Sequence, residues 1–207
     1  MQTKTFHPVE DARFLNSLIT CYQEVFSDEP WNEWVKCPKC NQVWGKKSGL
    51  NPSDPCSCGG SLVNFWDKET VQNDICTEIT EQSTARIVTI GQKVIGFCWG
   101  YPITSVELEK KLGLPGLAQT ITTQFGPGLL GYIDEVGVDP NLRLRGLGKD
   151  LWNQIVDILK SRGCQIIIAR SRPDVKIFNW WLKTGYQIIQ KYGKPDIRVV
   201  IARKIDD

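Results

Sequence analysis

Two groups of residues in this 207-residue chain have types and spacing suited to chemistry. The first is four cysteines, Cys37-Pro38-Lys39-Cys40 and Cys56-Ser57-Cys58-Gly59-Gly60, which read C-x2-C, fifteen residues, then C-x-C. Two cysteine pairs on tight turns can surround one tetrahedral Zn²⁺ with four thiolates. Four protein ligands leave no open coordination position, so such a metal is structural. The single residue inside the second pair loosens the match to a ribbon, and an iron–sulfur cluster or a metal-free loop stay as alternatives. His7 is the chain's one histidine, so a mixed Cys/His site is not expected.

The second group is Arg143-Leu144-Arg145-Gly146-Leu147-Gly148-Lys149. It lies between a β-rich run and a helical pattern. Free backbone N–H groups at a helix start, together with the macrodipole, favour an anion. Glycine lets the backbone come close to a ligand. Arg143, Arg145 and Lys149 add positive charge, making a cradle suited to a pyrophosphate. It is not a dinucleotide fingerprint, because a third glycine and a later acidic ribose ligand are missing. It is not a Walker loop either, because Lys149 precedes Asp150 and not Ser or Thr. A helix start that needs glycine only for its geometry is the bland alternative.

The elements that must position these groups follow from periodicity. Residues 9–26 predict a helix, with Phe14, Leu15, Leu18, Ile19, Tyr22, Val25 and Phe26 on one stripe. Trp31, Trp34 and Val35 predict a short amphipathic piece. Residues 36–61 are rich in Cys, Lys, Gly, Asn, Ser and Pro, and read as an inserted miniature module. A segment this polar cannot fold by apolar burial alone, and metal binding would supply the free energy. Residues 67–82 predict a helix, and 86–90 with 94–101 a hairpin about Gly91-Gln92. A short helix is expected at 104–112, and an irregular connection at 113–131, which holds five Gly and two Pro. Then come a strand at 132–138, a helix at 146–161, a strand at 164–169, a helix at 174–184 and strands at 186–190 and 197–202 about a turn at 193–196. The apolar 164–169 run suits a central parallel strand, so a right-handed crossover joins it to 132–138. The fold class is α/β (α+β), with one mixed central sheet flanked by helices.

Composition limits the function classes. Apolar residues are 41% and charged residues 23%, as in ordinary globular domains. No apolar run is long enough to span a bilayer, and no apolar segment follows Met1-Gln2-Thr3-Lys4-Thr5, so a cytoplasmic protein without membrane partners is expected. Cys21, Cys76, Cys98 and Cys164 are scattered in apolar surroundings and read as small buried hydrophobes. Residues 1–136 hold 11 basic and 16 acidic side chains, and residues 137–207 hold 14 and 7. The basic C-terminal part suits a polyanion.

Arg143-x-x-Gly146-x-Gly148, preceded by Tyr132-Ile133-Asp134-Glu135-Val136-Gly137-Val138-Asp139-Pro140, resembles the GNAT superfamily of N-acetyltransferases. Ile177-Phe178-Asn179-Trp180-Trp181-Leu182-Lys183-Thr184-Gly185-Tyr186 resembles that family's last helix and Gly-aromatic turn. The resemblance is close over 131–203 and elsewhere holds only in element order. It implies that the strand at 132–138 splays from its parallel neighbour and that acetyl-CoA lies in the gap. Main-chain groups at Val136 and Val138 would bond the pantetheine arm, with Gly137 at a bulge. The main chain from Arg143 through Leu144, Arg145, Gly146 and Leu147 to Gly148 would hold the pyrophosphate, beside Lys149. Two positions depart from the family pattern. Trp181 stands where a Tyr often reaches the CoA sulfur, and Asp174 stands where Asn is common. Asn179, nearby, could supply the amide.

An ammonium must lose a proton before it can attack a thioester, and a carboxylate near the splay could take it. Asp134 and Glu135 are adjacent on a strand and point to opposite faces. Asp134 matches the position where many family members carry an acid, so it is the first candidate for base or amine anchor, and Glu135 the second. A strand-end carboxylate paired with a neighbouring Lys or Arg is the structural alternative. The acceptor, a small-molecule or peptide amine, is not written in the sequence. Glu29, Trp31, Glu33 and Trp34 could form an acidic aromatic wall for it, and 113–131 could line its pocket. Lys39, Lys46 and Lys47 with Trp44 permit nucleic-acid contact by the module, but four such residues are weak grounds for it. The module also leaves a homodimer contact open. The expectation is therefore an acetyl-CoA-dependent N-acetyltransferase with a structural Zn²⁺. Its rival is a non-catalytic acetyl-CoA-binding or scaffold protein whose zinc module contacts a partner.

Overall fold

The computed structural model describes every residue except Leu144, Lys194, Pro195, Asp206 and Asp207. Seven strands form one mixed sheet in the order β1 (Gln2–Thr5), β5 (Thr84–Ile90), β6 (Lys93–Ile103), β7 (Leu130–Val138), β8 (Ile166–Ser171), β10 (Asp196–Lys204) and β9 (Gln187–Gly193). Three two-residue strands form a second sheet, with β2 (Val35–Lys36) paired antiparallel to both β3 (Val43–Trp44) and β4 (Val63–Asn64). The chain divides into two compact units. One comprises Met1–Thr80, Ile87–Phe97 and Gly137–Gly148, the other Glu81–Arg86, Cys98–Val136 and Lys149–Asp207. No described helix is long and apolar enough to cross a membrane.

In the first unit, α1 (Ala12–Phe26) buries Phe14, Leu18, Ile19, Tyr22, Val25 and Phe26 of the stripe that its three- and four-residue spacing predicts, with Leu15 half-buried at its edge. Tyr22 stacks on Phe97, with ring centroids 5.6 Å apart. The Phe97 ring in turn lies over Gly137, where an added Cβ would come within 2.4 Å of it. The glycine expected at a bulge is thus needed because a ring crosses the strand there. Helix α2 (Lys68–Glu78) starts at Asp67, whose side chain accepts from the Thr70 N–H. Cys76 on α2 is exposed, not buried as its surroundings in sequence suggested, whereas Cys21, Cys98 and Cys164 are buried. The short piece expected around Trp31–Val35 is a turn leading into β2.

In the second unit, β7 and β8 pair in parallel around α5 (Leu147–Ser161). β8 lies two residues later than its apolar run suggested. The next helix, α6 (Phe178–Lys183), is shorter than the predicted span 174–184, because Arg172 and Asp174 form a bidentate ion pair in a turn before it. The turn expected at 193–196 includes two residues outside the described ones.

The largest correction falls at 113–131. This stretch is not irregular: α3 (Ser105–Leu112) and α4 (Leu117–Phe125) form a helical hairpin. Three of the stretch's five glycines are caps, Gly116 standing at the start of α4. Gly113 closes α3, and Gly126, at φ 83°, closes α4 just before Pro127. A capping box between Thr104 and Glu107 starts α3. Leu108, Leu112, Leu117 and Ile121 then pack on Tyr132, Ile168 and Val200, covering one face of β7, β8 and β10. Leu159 of α5 lies against Gly131 and Ile167 on the other face.

Gly137→Ala should lower unfolding stability by about 1–3 kcal/mol through overpacking against Phe97. Urea titration of the variant and of the double variant with Phe97→Leu checks this, with recovery expected in the double.

Candidate active site

Hydrogen bonding between β7 and β8 stops partway. The register runs Leu130↔Ile166, Gly131↔Ile167, Tyr132↔Ile168 and Ile133↔Ala169, and ends there, although both strands continue. Beyond that point the β7 edge from Asp134 onward is open toward β8. An open edge offers N–H and C=O groups to an extended ligand. Asp134 is the first residue past the last pair. Its carboxylate is 4% exposed and lies 3.0 Å from Lys111 Nζ, and the Tyr101 hydroxyl donates to it at 2.7 Å. Both partners sit on Oδ2. Among the described residues no partner sits on Oδ1. Sequence reasoning identified Asp134 but not Tyr101 or Lys111, which come from β6 and α3 and carry no spacing signal. Glu135 points to the alternate face, near Cys98, and also acts electrostatically on Arg170.

Past β7 the chain turns at Asp139, which is buried. Asp139 accepts from Lys93 Nζ at 2.9 Å and from the Asn141 backbone N–H at 3.0 Å. Burial would raise its pKa, but these donors prevail and hold it below the usual carboxylate range. Arg143 does not reach out as a mobile cation. Its guanidinium donates to the carbonyls of Val25 (2.9 Å), Val138 (3.3 Å) and Glu29 (3.4 Å). It thereby ties the turn to the C-terminal end of α1. Arg145 is exposed, and Gly146 has φ +86°, a conformation that glycine supplies at no steric cost. Leu147 and Gly148 open α5, so their N–H groups lie at its N-terminus. Leu144 lies outside the described residues. In the second unit, Lys149 Nζ sits 5.4 Å from the Trp180 ring centroid.

The four cysteine sulfurs all lie within 4.8 Å of one another. Cys37 and Cys58 are 3.4 Å apart, and Cys40 and Cys56 are 3.7 Å apart. A tetrahedron with Zn–S bonds of about 2.3 Å has edges of about 3.8 Å, so this donor set fits a tetrahedral ion. Two tight turns create it. Asn41 N–H bonds Cys37 C=O, and Gly59 N–H bonds Cys56 C=O. A Cβ on Gly60 would lie 2.8 Å from Cys37 Sγ. Without a cation, sulfurs this close share a proton unequally: the contact with Cys37 pushes the Cys58 thiol up to about 12, and, against burial, hydrogen bonds from the turn and from Cys58 draw Cys37 down to about 6. The segment is fastened to the end of α1 by Lys46–Glu24 (2.8 Å), by Lys46 N–H to Ser27 C=O and by Lys47 N–H to Asp28. Glu33 accepts from Trp66 Nε1, and Trp34 Nε1 donates to Leu50 C=O. The suggested acidic aromatic wall is therefore largely a packing edge.

The family model for the acetyltransferase (GNAT) family matches residues 57–182, more than half of the chain. The chain belongs to the GNAT acetyltransferase family. No curated protein sequence matches it. Solved structures share the GNAT fold at low identity. PaiA N-acetyltransferase from Thermoplasma acidophilum, in complex with coenzyme A, is 13% identical with a TM-score of 0.58, over 99% of this chain and all of that one. Aminoglycoside 6'-acetyltransferase type Ii is 12% identical with a TM-score of 0.58, over all of this chain and 99% of that one. A ribosomal-protein-alanine N-acetyltransferase from Brucella melitensis is 11% identical with a TM-score of 0.56, over 99% of this chain and all of that one.

Relative to the GNAT pattern, Trp181 is fully inside. It packs on Trp152 at 4.8 Å, and its indole nitrogen is buried with no partner among the described residues. Trp152 Nε1 in turn donates to the Tyr186 hydroxyl at 2.9 Å. An indole N–H is a donor but no acid, so Trp181 cannot protonate a thiolate. Asp174 is committed to Arg172, and Asn179 is exposed on α6.

Asp139→Asn should cost about 1–3 kcal/mol of stability at pH 7. Because the folded carboxyl is held low, its contribution is present above the unfolded pKa of about 3.9 and fades as pH falls below it. Urea unfolding at pH 7 and pH 3 should therefore show a larger deficit of the variant at pH 7 than at pH 3.

Proposed function

We propose that this GNAT protein transfers the acetyl group of acetyl-CoA to a primary amine by direct attack. In the same reading, Cys37, Cys40, Cys56 and Cys58 hold a structural Zn²⁺ that folds residues 36–61 as a module inserted in one 1–207 catalytic domain. The observation that carries the reading is the end of β7–β8 pairing at Ile133↔Ala169, followed along the chain by the turn into α5. The coenzyme A bound to the T. acidophilum protein of the same fold supports the choice of cofactor.

Acetyl-CoA supplies the thioester carbonyl. Main-chain groups of Val136 and Val138 bond its amide-bearing arm as an added strand would. The N–H groups between Arg143 and Gly148, at the start of α5, hold the pyrophosphate. Arg143 fixes that turn from behind, and Lys149 and the Asn179 amide are the further side-chain candidates. Asp134 Oδ1 receives the acceptor's ammonium, while Lys111 and Tyr101 hold Oδ2 and fix the carboxylate's orientation. The proton passes to Oδ1, directly or through water. The amine nitrogen then forms the N–C bond, the C–S pair leaves with sulfur, and the nitrogen's second proton passes through water to the thiolate. A thiol pKa of about 8.5 makes the thiolate a fair leaving group, and water suffices to protonate it. Glu135 is the second candidate base.

Buried Trp181 is the one feature that favours a non-catalytic acetyl-CoA-binding protein. Calorimetry with acetyl-CoA and dephospho-CoA, followed by an amine panel, separates the two readings. Wild type should bind at micromolar Kd and release CoA with an amine. Asp134→Asn should bind equally well but lose about a hundredfold in kcat/KM. A loss within twofold removes Asp134 as base. For the module, elemental analysis should give one zinc per chain, and Cys37→Ser should lower both metal content and Tm. Clearly less than one zinc, with unchanged Tm, ends the metal reading.

A further inference from the structure

Asp134 does not stand alone at the open end of the sheet. Tyr132 and Ile168 are register partners and pack together under α3 and α4. Side chains alternate along a strand, so two residues further on Asp134 and Arg170 share that same face. They are the first residues of β7 and β8 beyond the last pair, one on each lip of the gap. Opposite charges facing across a sheet would ordinarily pair. These do not. Asp134 is held by Lys111 and Tyr101. Half-buried Arg170 has no carboxylate within ion-pair distance among the described residues. Its charge is secure: burial works against it, but Tyr132, Glu135 and Tyr192 outweigh that and raise its pKa.

Beside Arg170 is a second donor. The Tyr132 side chain is fully buried, and its hydroxyl has no hydrogen-bond partner among the described residues. Burying an unmet hydroxyl costs on the order of 1–3 kcal/mol, a cost that a bound acceptor atom would relieve. A guanidinium fork with a phenol beside it is a donor set for two oxygens of one planar anion. Glu135 acts on Arg170 through space but lies on the other face of β7, so on the Asp134 face Lys111 meets Asp134 while Arg170 meets no ion-pair partner among the described residues. An acceptor with one ammonium and one carboxylate matches that arrangement of charge. A polyamine would set a second ammonium against Arg170, and a dianionic phosphate would exceed its single charge.

We infer that the acceptor is an amino acid-like zwitterion, its amine at Asp134 and its carboxylate on Arg170 and Tyr132, with Arg170 as the residue that sets specificity. This rests on the acetyltransferase reading above and narrows its acceptor class.

The test uses the zinc-loaded 207-residue protein and a matched series: glycine, β-alanine, 4-aminobutyrate and 5-aminopentanoate against propylamine, pentylamine, spermidine and O-phosphoethanolamine. Wild type should acetylate at least one of the four amino acids about a hundredfold better, in kcat/KM, than the amines lacking a carboxylate. Arg170→Met should lose that preference, mainly through KM, and leave propylamine turnover within about threefold. Arg170→Lys should recover part of it. Binding of the same amino acids, followed by calorimetry on wild type and Arg170→Met with CoA present, needs no turnover. If an amino acid binds wild type and not the variant while nothing is acetylated, catalysis fails and the carboxylate anchor stands. The inference is overturned if no amino acid binds or reacts, if spermidine or O-phosphoethanolamine is preferred, or if Arg170→Met weakens all acceptors equally with a matching fall in Tm.

Discussion

Four register pairs join β7 to β8, and the fifth is missing. Inside a sheet, an N–H or C=O without a strand partner needs another one, since burying it unpaired is costly. The end of pairing therefore defines where an extended molecule with amides of its own can lie. It also decides which side chains matter. In the reading proposed above, Asp134, Val136 and Arg170 belong to the site because they follow Ile133 and Ala169. Tyr132, one pair earlier, contributes its buried ring to the core and only its hydroxyl to the opening. The hairpin of α3 and α4 has a double part here. Its apolar side covers the paired portion of the strands, and Lys111, near its first helix's end, reaches the unpaired portion.

The charges around the turn before α5 are mostly engaged. Arg143 binds three carbonyls, Asp139 binds Lys93 and the Asn141 N–H, and Lys149 leans on Trp180. What stays available for an anion is backbone, at a helix N-terminus whose dipole favours negative charge. Although Arg145, Arg162, Lys176 and Lys183 are exposed, part of the basic content after residue 136 is thus committed inside the fold. Arg172 with Asp174 and Arg198 with Asp196 show the same habit.

Much of this was legible in the chain itself. The α1 stripe, the β7–turn–α5 order and the cysteine spacing are local patterns, and local patterns survive folding. The Gly/Pro stretch at 113–131 misled because glycine serves both irregular loops and helix ends. Leu117 and Ile121, four apart between Gly116 and Gly126, were the signal of α4 that glycine content obscured. The Arg143 side chain read as a mobile cation because sequence shows a charge but not the carbonyls that its guanidinium binds. Tyr101, Lys111 and Arg170 could not be found at all. They meet Asp134 or flank it only through strand order and register, and no spacing along the chain encodes that.

The cysteine segment enters and leaves the fold at one place. Val35 pairs with Asn64, and Lys36 with Val63, so its two ends are neighbouring rungs of a single antiparallel ladder, with Cα atoms about 5 Å apart. Within it, Val35, Cys37, Cys56 and Leu62 make a small apolar cluster of their own. To the rest of the chain, some 26 residues are topologically equivalent to a hairpin tip. A lineage could gain or shed this cassette in a single genetic event, because a tight turn from Lys36 to Val63 would reconnect the same two strands without moving either.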